Sequence, residues 1–159
     1  EPTTNETIKE PEIYSENISK VAESFKVHPQ IALDSFSSVI ISTLHALGVN
    51  KHVTIEFNPD AYENPLHTLI LVSKPLEEEW GKDKVNEFIK EFHNDVMIEF
   101  AHSMNSPGNK VLDSKVEAVH LATINIAGEY GFDAIIELYF DPTTTGTDAY
   151  RRVWVLAKK

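Results

Sequence analysis

The stretch from Leu76 to Met104 constrains the fold more than any other part of the sequence, because its apolar residues recur at helical spacing. Steps of three and four residues place them in one stripe along an α-helix. The positions between them are mostly acidic. The pattern predicts a long helix that buries its apolar stripe and keeps Glu87, Glu91 and Asp95 in water. The stripe consists of Val85, Phe88, Ile89, Phe92, Val96 and Phe100.

Two further helices are predicted before this one. Ser15 is a candidate N-cap for a first helix that ends near Val27. Pro29 suits the first turn of a second helix, from about Gln30 to Leu47. Proline has no backbone N–H, and the N–H groups of a first helical turn have no partner within the helix, so no hydrogen bond is lost. Wide apolar coverage predicts that this second helix is the most buried of the three.

Strands are predicted wherever the apolar period changes from three or four residues to two. Two strands, 52–57 and 66–72, are separated by a proline-containing loop and should form an antiparallel hairpin before the long helix. Three more are predicted after it, joined by a tight turn at 128–131 and a looser loop from Asp141 to Asp148. These three strands are Lys115–Ile126, Phe132–Phe140 and Ala149–Ala157.

The resulting order of elements is α-α-β-β-α-β-β-β, which predicts an α+β fold. We expect an antiparallel sheet of about five strands with the three helices packed on one face. Curved-sheet, cone-shaped folds of the nuclear-transport-factor and ketosteroid-isomerase type have the same order of elements. That analogy concerns the fold alone, because no motif accompanies it.

Length, charge and cysteine content exclude several classes of protein. A chain of 159 residues suits a single domain with its own core. Its formal net charge of -11 argues against nucleic acid as a partner, because binding to phosphates requires clustered Lys and Arg. The absence of cysteine excludes disulfides and thiolate chemistry. The most apolar run, 36–49, is interrupted by serines and too short for a transmembrane segment.

The first twelve residues, EPTTNETIKEPE, are acidic and almost free of large side chains. Such a segment cannot order itself by burial. We therefore expect a flexible N-terminal tether over residues 1–12 and a single α+β domain over residues 13–159. The tether has two interpretations. The first is a spacer in an extracytoplasmic protein, following either a removed signal peptide or the lipidated cysteine of a lipoprotein. The second is the ordinary flexible terminus of a cytoplasmic protein.

His120 is the centre of the candidate binding site. It lies in a predicted strand, and an acidic residue on the adjacent strand, Glu137 or Asp133, could make it a general base near neutral pH. The alternative is a partly exposed histidine on the polar face of the sheet.

Aromatic residues and one arginine on the last two strands complete this site. Trp154 and Tyr150 share one face of the last strand with Arg152 between them. They form either a binding surface or part of the core. The candidate ligand-binding residues are His120, Glu137, Tyr139, Tyr150, Arg152 and Trp154.

No metal site, cofactor or catalytic residue is predicted. Glu99 and His102 have the spacing of carboxylate-bridged metal sites in helix bundles, but such a site needs a second pair on another helix. The other Glu-x-x-His pair, Glu117 and His120, falls in a predicted strand, where residues three apart point to opposite faces. Motifs for serine nucleophiles, phosphate loops and calcium loops are absent.

The sequence therefore favours a non-enzymatic domain, extracytoplasmic and tethered by its N-terminus, that binds a protein partner or a small apolar ligand. A homodimer formed through the last strand is one form of such binding. The alternative function is a small pocket enzyme or ligand-binding protein with a cone-shaped α+β fold.

Overall fold

A computed structural model describes residues 10–108, 110–141 and 150–159, and these residues form an α+β fold. The predicted class is confirmed, but the sheet is mixed and four helices are described rather than three. The loop predicted from Asp141 to Asp148 lies almost entirely outside the described residues, as do residues 1–9 of the predicted tether. In chain order the elements are β1 (Glu12–Asn17), α1 (Ile18–Phe25), α2 (Pro29–Ala46), β2 (Lys51–Phe57), β3 (Thr68–Val72), α3 (Lys74–Met104), α4 (Val111–Glu129), β4 (Ala134–Tyr139) and β5 (Arg152–Lys158).

The sheet has the strand order β1-β4-β5-β2-β3. The pairs β4–β5, β5–β2 and β2–β3 are antiparallel, as predicted, whereas β1 runs parallel to β4 at one edge. The all-antiparallel prediction is wrong because β1 was not recognised as a strand. Its sequence, EIYSEN, has only two large apolar residues, and pairing with β4 rather than burial places it in the sheet.

Helices cover both faces of the sheet, not one. Alternate residues of the central strands enter two separate cores. Val53, Ile55 and Trp154 face α3 and α4 in the larger core, whereas Val153 and Val155 face α1 and α2 in the smaller one. The predicted single helical face is therefore wrong, and the element order behind the cone-shaped analogy is not the one observed.

The long helix α3 follows its prediction closely. Its apolar stripe is buried, with Phe88, Phe92 and Val96 fully inaccessible to solvent. Gly81 has φ of 79° and ψ of 165°, which interrupts the helix after the short first segment. Of the three acidic residues predicted to lie in water, Glu87 is exposed, whereas Glu91 and Asp95 are half-buried.

The largest error of the sequence analysis concerns residues 115–126, which belong to the helix α4 and not to a strand. Val119, Ala122 and Ile126 are fully buried at helical spacing, and together with Ala118 they pack α4 against α3 and the sheet. The same segment alternates apolar residues with polar ones, so it fits both periods. The helical alternative is the one observed, because small buried residues allow this segment to pack closely as a helix.

The helices α1 and α2 pack together across the opposite face. Asn17, not Ser15, caps α1, because its side-chain oxygen accepts a hydrogen bond from the Ser19 backbone. Gly48, with φ of 83°, follows α2 as predicted. The predicted high burial of α2 is wrong, since only Ala32 and Leu33 are buried in its eighteen residues.

None of the helices in the described ranges combines the length and apolar character that a membrane span requires.

Candidate functional site

Glu137 forms the centre of a polar cluster on the face of the sheet that carries α4. Ser15 donates a hydrogen bond to its Oε1 atom at 3.1 Å, and Arg152 Nη1 donates to its Oε2 atom at 3.4 Å. His120 Nδ1 lies 3.2 Å from the same Oε2. The carboxylate is buried, so these partners replace the water that it loses.

Strand register and helix packing bring these groups together. Glu137 in β4 is directly opposite Ser15 in β1 and Trp154 in β5, so their side chains share one face. Arg152 lies two residues before Trp154 on that face. His120 reaches the cluster from α4, not from a neighbouring strand as predicted.

The cluster keeps Glu137 ionised. Burial alone would raise its pKa, but the hydrogen bond and charge of His120, the charge of Arg152 and the Ser15 hydroxyl together lower the pKa below its ordinary value. Glu137 is thus a charge-compensated carboxylate.

The contacts of His120 show which of its partners the Nδ1 atom faces most closely. Its Nδ1 atom is 3.2 Å from the Glu137 carboxylate and 3.4 Å from the indole Nε1 of Trp154. One ring nitrogen cannot donate to the carboxylate and accept from the indole at once. The shorter, charge-assisted contact is the stronger, so Nδ1 carries a proton and donates a hydrogen bond to Glu137.

A shallow cleft of about 310 Å³ opens beside the cluster, lined by Ser15, Glu137, Tyr139, Phe140 and Arg152. The guanidinium carbon of Arg152 lies 5.7 Å from the centroid of the Tyr139 ring. Three of the six candidate residues, Glu137, Tyr139 and Arg152, therefore line this cleft, and His120 contacts Glu137 beside it.

Two of the candidate residues differ from the others in their environment. Trp154 is fully buried in the larger core, and the centroid of its ring lies 6.2 Å from that of His120. Tyr150 packs against the larger core instead of lining the cleft. Both residues serve packing.

The chemistry available at the cleft is limited. Within the described ranges, no three His, Asp or Glu side chains are placed to hold a metal ion. The Ser15 hydroxyl donates to Glu137 rather than to His120, so the described contacts do not form a nucleophile–base pair. Glu99 and His102 are 4.0 Å apart at the other end of the helix pair, with His102 mostly exposed.

A second surface, which the sequence analysis missed, lies between α1 and α2. It is an apolar groove of about 480 Å³. Phe25, Ile31 and Val39 stand along it with 74%, 57% and 57% of their surface exposed. We call this surface the α1–α2 face, and its lining residues are Val21, Phe25, Val27, Ile31, Ala32, Ser35, Phe36 and Val39.

The α1–α2 face is electrically neutral in a strongly acidic protein. Residues 18–50 contain two lysines, one glutamate and one aspartate, so their formal charge is zero, against -11 for the whole chain. Residues 35–50 contain no Asp, Glu, Lys or Arg at all, although many of them are exposed. This long uncharged run could have indicated an exposed interaction surface, but the sequence analysis assigned it to a buried helix.

A histidine pair ties the end of α2 to the sheet. The Nε2 atoms of His45 and His52 are 3.0 Å apart and the ring centroids 5.2 Å apart, so the two rings point at each other as in a hydrogen bond. Burial and the charge of His45 lower the pKa of His52.

Acidic residues of α3 and α4 meet on the outer side of the helix pair. Burial, followed by repulsion from Glu91 and Glu99, raises the pKa of Asp95. Burial and repulsion from Asp95 and Glu91 likewise raise the pKa of Glu129. These carboxylates repel one another at neutral pH.

Comparison of the chain with protein-family models, with curated proteins and with solved structures found no match.

Proposed function

We propose that this protein is a non-enzymatic binding domain whose α1–α2 face docks onto a helical, uncharged surface of a partner protein. The observation that carries the proposal is the exposure of Phe25, Ile31 and Val39 around one apolar groove. Contiguous apolar surface of this kind marks interaction sites, whereas scattered exposed apolar residues do not.

The shape of the face favours a protein segment over a small molecule. α2 has eighteen residues and is roughly 27 Å long at 1.5 Å per residue, and apolar or small residues continue along it as far as Leu47, which is 73% exposed. Phe25, Ile31 and Val39 beside the groove are each more than half exposed, so a small ligand inside the groove would leave much of their surface uncovered. A helix laid against α2 would cover both the groove and its protruding side chains.

The charge distribution also supports a protein interface. Charged residues are depleted in the cores of interfaces, because their desolvation is costly. Asp34 is the only charged residue in α2, and it lies 3.2 Å from the guanidinium of Arg151. A partner can therefore cover α2 without desolvating an unpaired charge.

The test is affinity capture from a lysate of the source organism with the wild-type protein and two matched variants. Val39→Glu places a charge on the α1–α2 face, whereas Val111→Glu places one on α4, where valine is 50% exposed. A partner retained by wild type and Val111→Glu but lost by Val39→Glu is the expected result. Equal capture by all three proteins would refute the proposal.

The cleft beside Glu137 supports a second candidate function, the binding of a small polar ligand. The observation in its favour is the convergence of Glu137, Arg152 and His120 on one partly open site. A ligand at this cleft should shift the NMR signals of Tyr139 and His120 in a metabolite screen, and Arg152→Met should abolish the shift. A screen without any shift at these two residues would remove this function.

We further propose an extracytoplasmic location, tethered through the N-terminal residues that precede β1. The support is their composition, which is acidic, rich in Thr and almost free of large apolar side chains. Fractionation of the source cells should find the protein in the envelope or outside the cell. Recovery in the cytosol would refute this location.

A further inference from the structure

We infer that the partner on the α1–α2 face is a second copy of this chain, packed α2 against α2 about a two-fold axis. This inference rests on the proposed function, since it names the occupant of the same face. It is argued from charge, from shape and from the area available.

Charge makes this face the place where two copies can meet. Two molecules that each carry -11 repel, and most of their surface would bring like charges together. The α1–α2 face has a formal charge of zero. Two such faces can therefore meet without bringing net like charges into contact, unlike the more acidic remainder of the chain.

The shape of the face is self-complementary. It offers projecting side chains, Phe25, Ile31 and Val39, and it offers a groove of about 480 Å³ between them. A two-fold axis lets the projections of each copy enter the groove of the other. Ser35 and Ser38 are exposed on α2 and are small enough to allow close approach of two helices.

The area of the face sets the expected strength. α1 and α2 are roughly 12 and 27 Å long and about 10 Å wide, so two copies would bury roughly 800–1,000 Å² together. That value lies below the roughly 1,200 Å² at which specific, stable interfaces begin, and within the range of weak, transient ones. We therefore expect a weak dimer with a dissociation constant in the micromolar range.

The first experiment is sedimentation equilibrium of the full chain at about 1–200 µM, which brackets a micromolar dissociation constant. Wild type and Val111→Glu should dimerise reversibly, and Val39→Glu should weaken the dimer at least tenfold. Dimerisation should strengthen between about 50 and 500 mM salt, because screening reduces the repulsion between two acidic molecules. Circular dichroism checks that each variant is folded.

The second experiment uses the absence of cysteine from the chain. Ser38→Cys places one thiol at the middle of α2 and Ser106→Cys places one at an exposed position beyond α3. Mild oxidation should cross-link the first variant to a dimer faster than the second. This readout does not depend on the folding of Val39→Glu.

The outcomes separate this inference from the proposed function. A monomer at every concentration, or a dimer that Val39→Glu leaves intact, overturns the inference. If wild type is monomeric but Val39→Glu still loses a captured partner, the face binds a different protein and the proposed function stands. If the dimer forms through another surface and capture is unaffected by Val39→Glu, both fail.

Discussion

Truncation of Phe92 tests the core on which the fold is built. Its side chain is fully buried on α3 within the larger core, so Phe92→Ala removes most of a ring and leaves a cavity between α3, α4 and the sheet. Loss of transfer free energy and the cavity together should lower the free energy of unfolding by about 3–5 kcal/mol. This is a large part of the roughly 5–15 kcal/mol that stabilises a domain.

The assay is equilibrium unfolding in urea, followed by the fluorescence of the buried Trp80 and Trp154. Phe25→Ala is the matched control, because the same truncation at an exposed side chain should change the free energy of unfolding by no more than about half a kcal/mol. Glu91→Gln should also stay within about half a kcal/mol. If Phe92→Ala is nearly neutral, or less damaging than Glu91→Gln, the orientation assigned to α3 is wrong.

Three pH-dependent predictions follow from the titrating groups. Burial and acidic neighbours raise the pKa of Asp95, so its ionisation disfavours the folded state. Asp95→Asn should therefore raise the free energy of unfolding at pH 7 by up to about half a kcal/mol. This gain should vanish near pH 3, where Asp95 is protonated in both states. Because the pKa of His52 is lowered in the folded state, its contribution to stability is complete above about pH 6.5 and is lost as pH falls below that value. The free energy of unfolding in urea should therefore drop between pH 7 and pH 5. His52→Gln should reduce this drop. Glu137→Gln should lower the free energy of unfolding by about 1–3 kcal/mol at pH 7. Because the pKa of Glu137 is lowered in the folded state, the difference between this variant and wild type should shrink as pH falls below 4.5. The same series of urea unfolding curves measures this difference.

Elements with one clear period and opposed charges were predicted well from the sequence. α3 combines a helical apolar stripe with acidic residues on its other side, and β2 and β4 combine alternation with turn residues at their ends. In these segments local propensity and tertiary packing favour the same structure. The antiparallel pairing of β4 with β5 followed from their closeness along the chain.

Elements that depend on tertiary contacts were not predicted. β1 is an edge strand with largely exposed side chains, and its parallel partner β4 lies more than a hundred residues away. In α4, the residues Ala118, His120 and Ala122 alternate as in a strand, while Val119 and Ile126 repeat as in a helix. Only packing against α3 distinguishes the two patterns.

Several of the candidate site residues lie near one another in the structure, but the reason for grouping them was partly wrong. Glu137, Tyr139 and Arg152 were grouped because β4 and β5 are adjacent strands, and the structure pairs them. His120 was grouped with them as a strand residue, yet it arrives from α4, which crosses the sheet at this point. For Trp154 the sequence left open a binding surface or the core, and the structure places it fully buried in the larger core.

The apolar residues of α2 show what a periodic pattern cannot decide. α2 carries apolar side chains over more of its circumference than one sheet face can bury, so Leu33 is inaccessible while Val39 is 57% exposed. A helix that stays in water usually places charge on such a second face, as α3 does with its glutamates. In α2, Asp34 is the only charged residue on the exposed side, and serine is the commonest of the other exposed residues there. This wide apolar stripe with so little charge is the sequence pattern behind our proposal that α2 packs both against this chain's own sheet and against a partner.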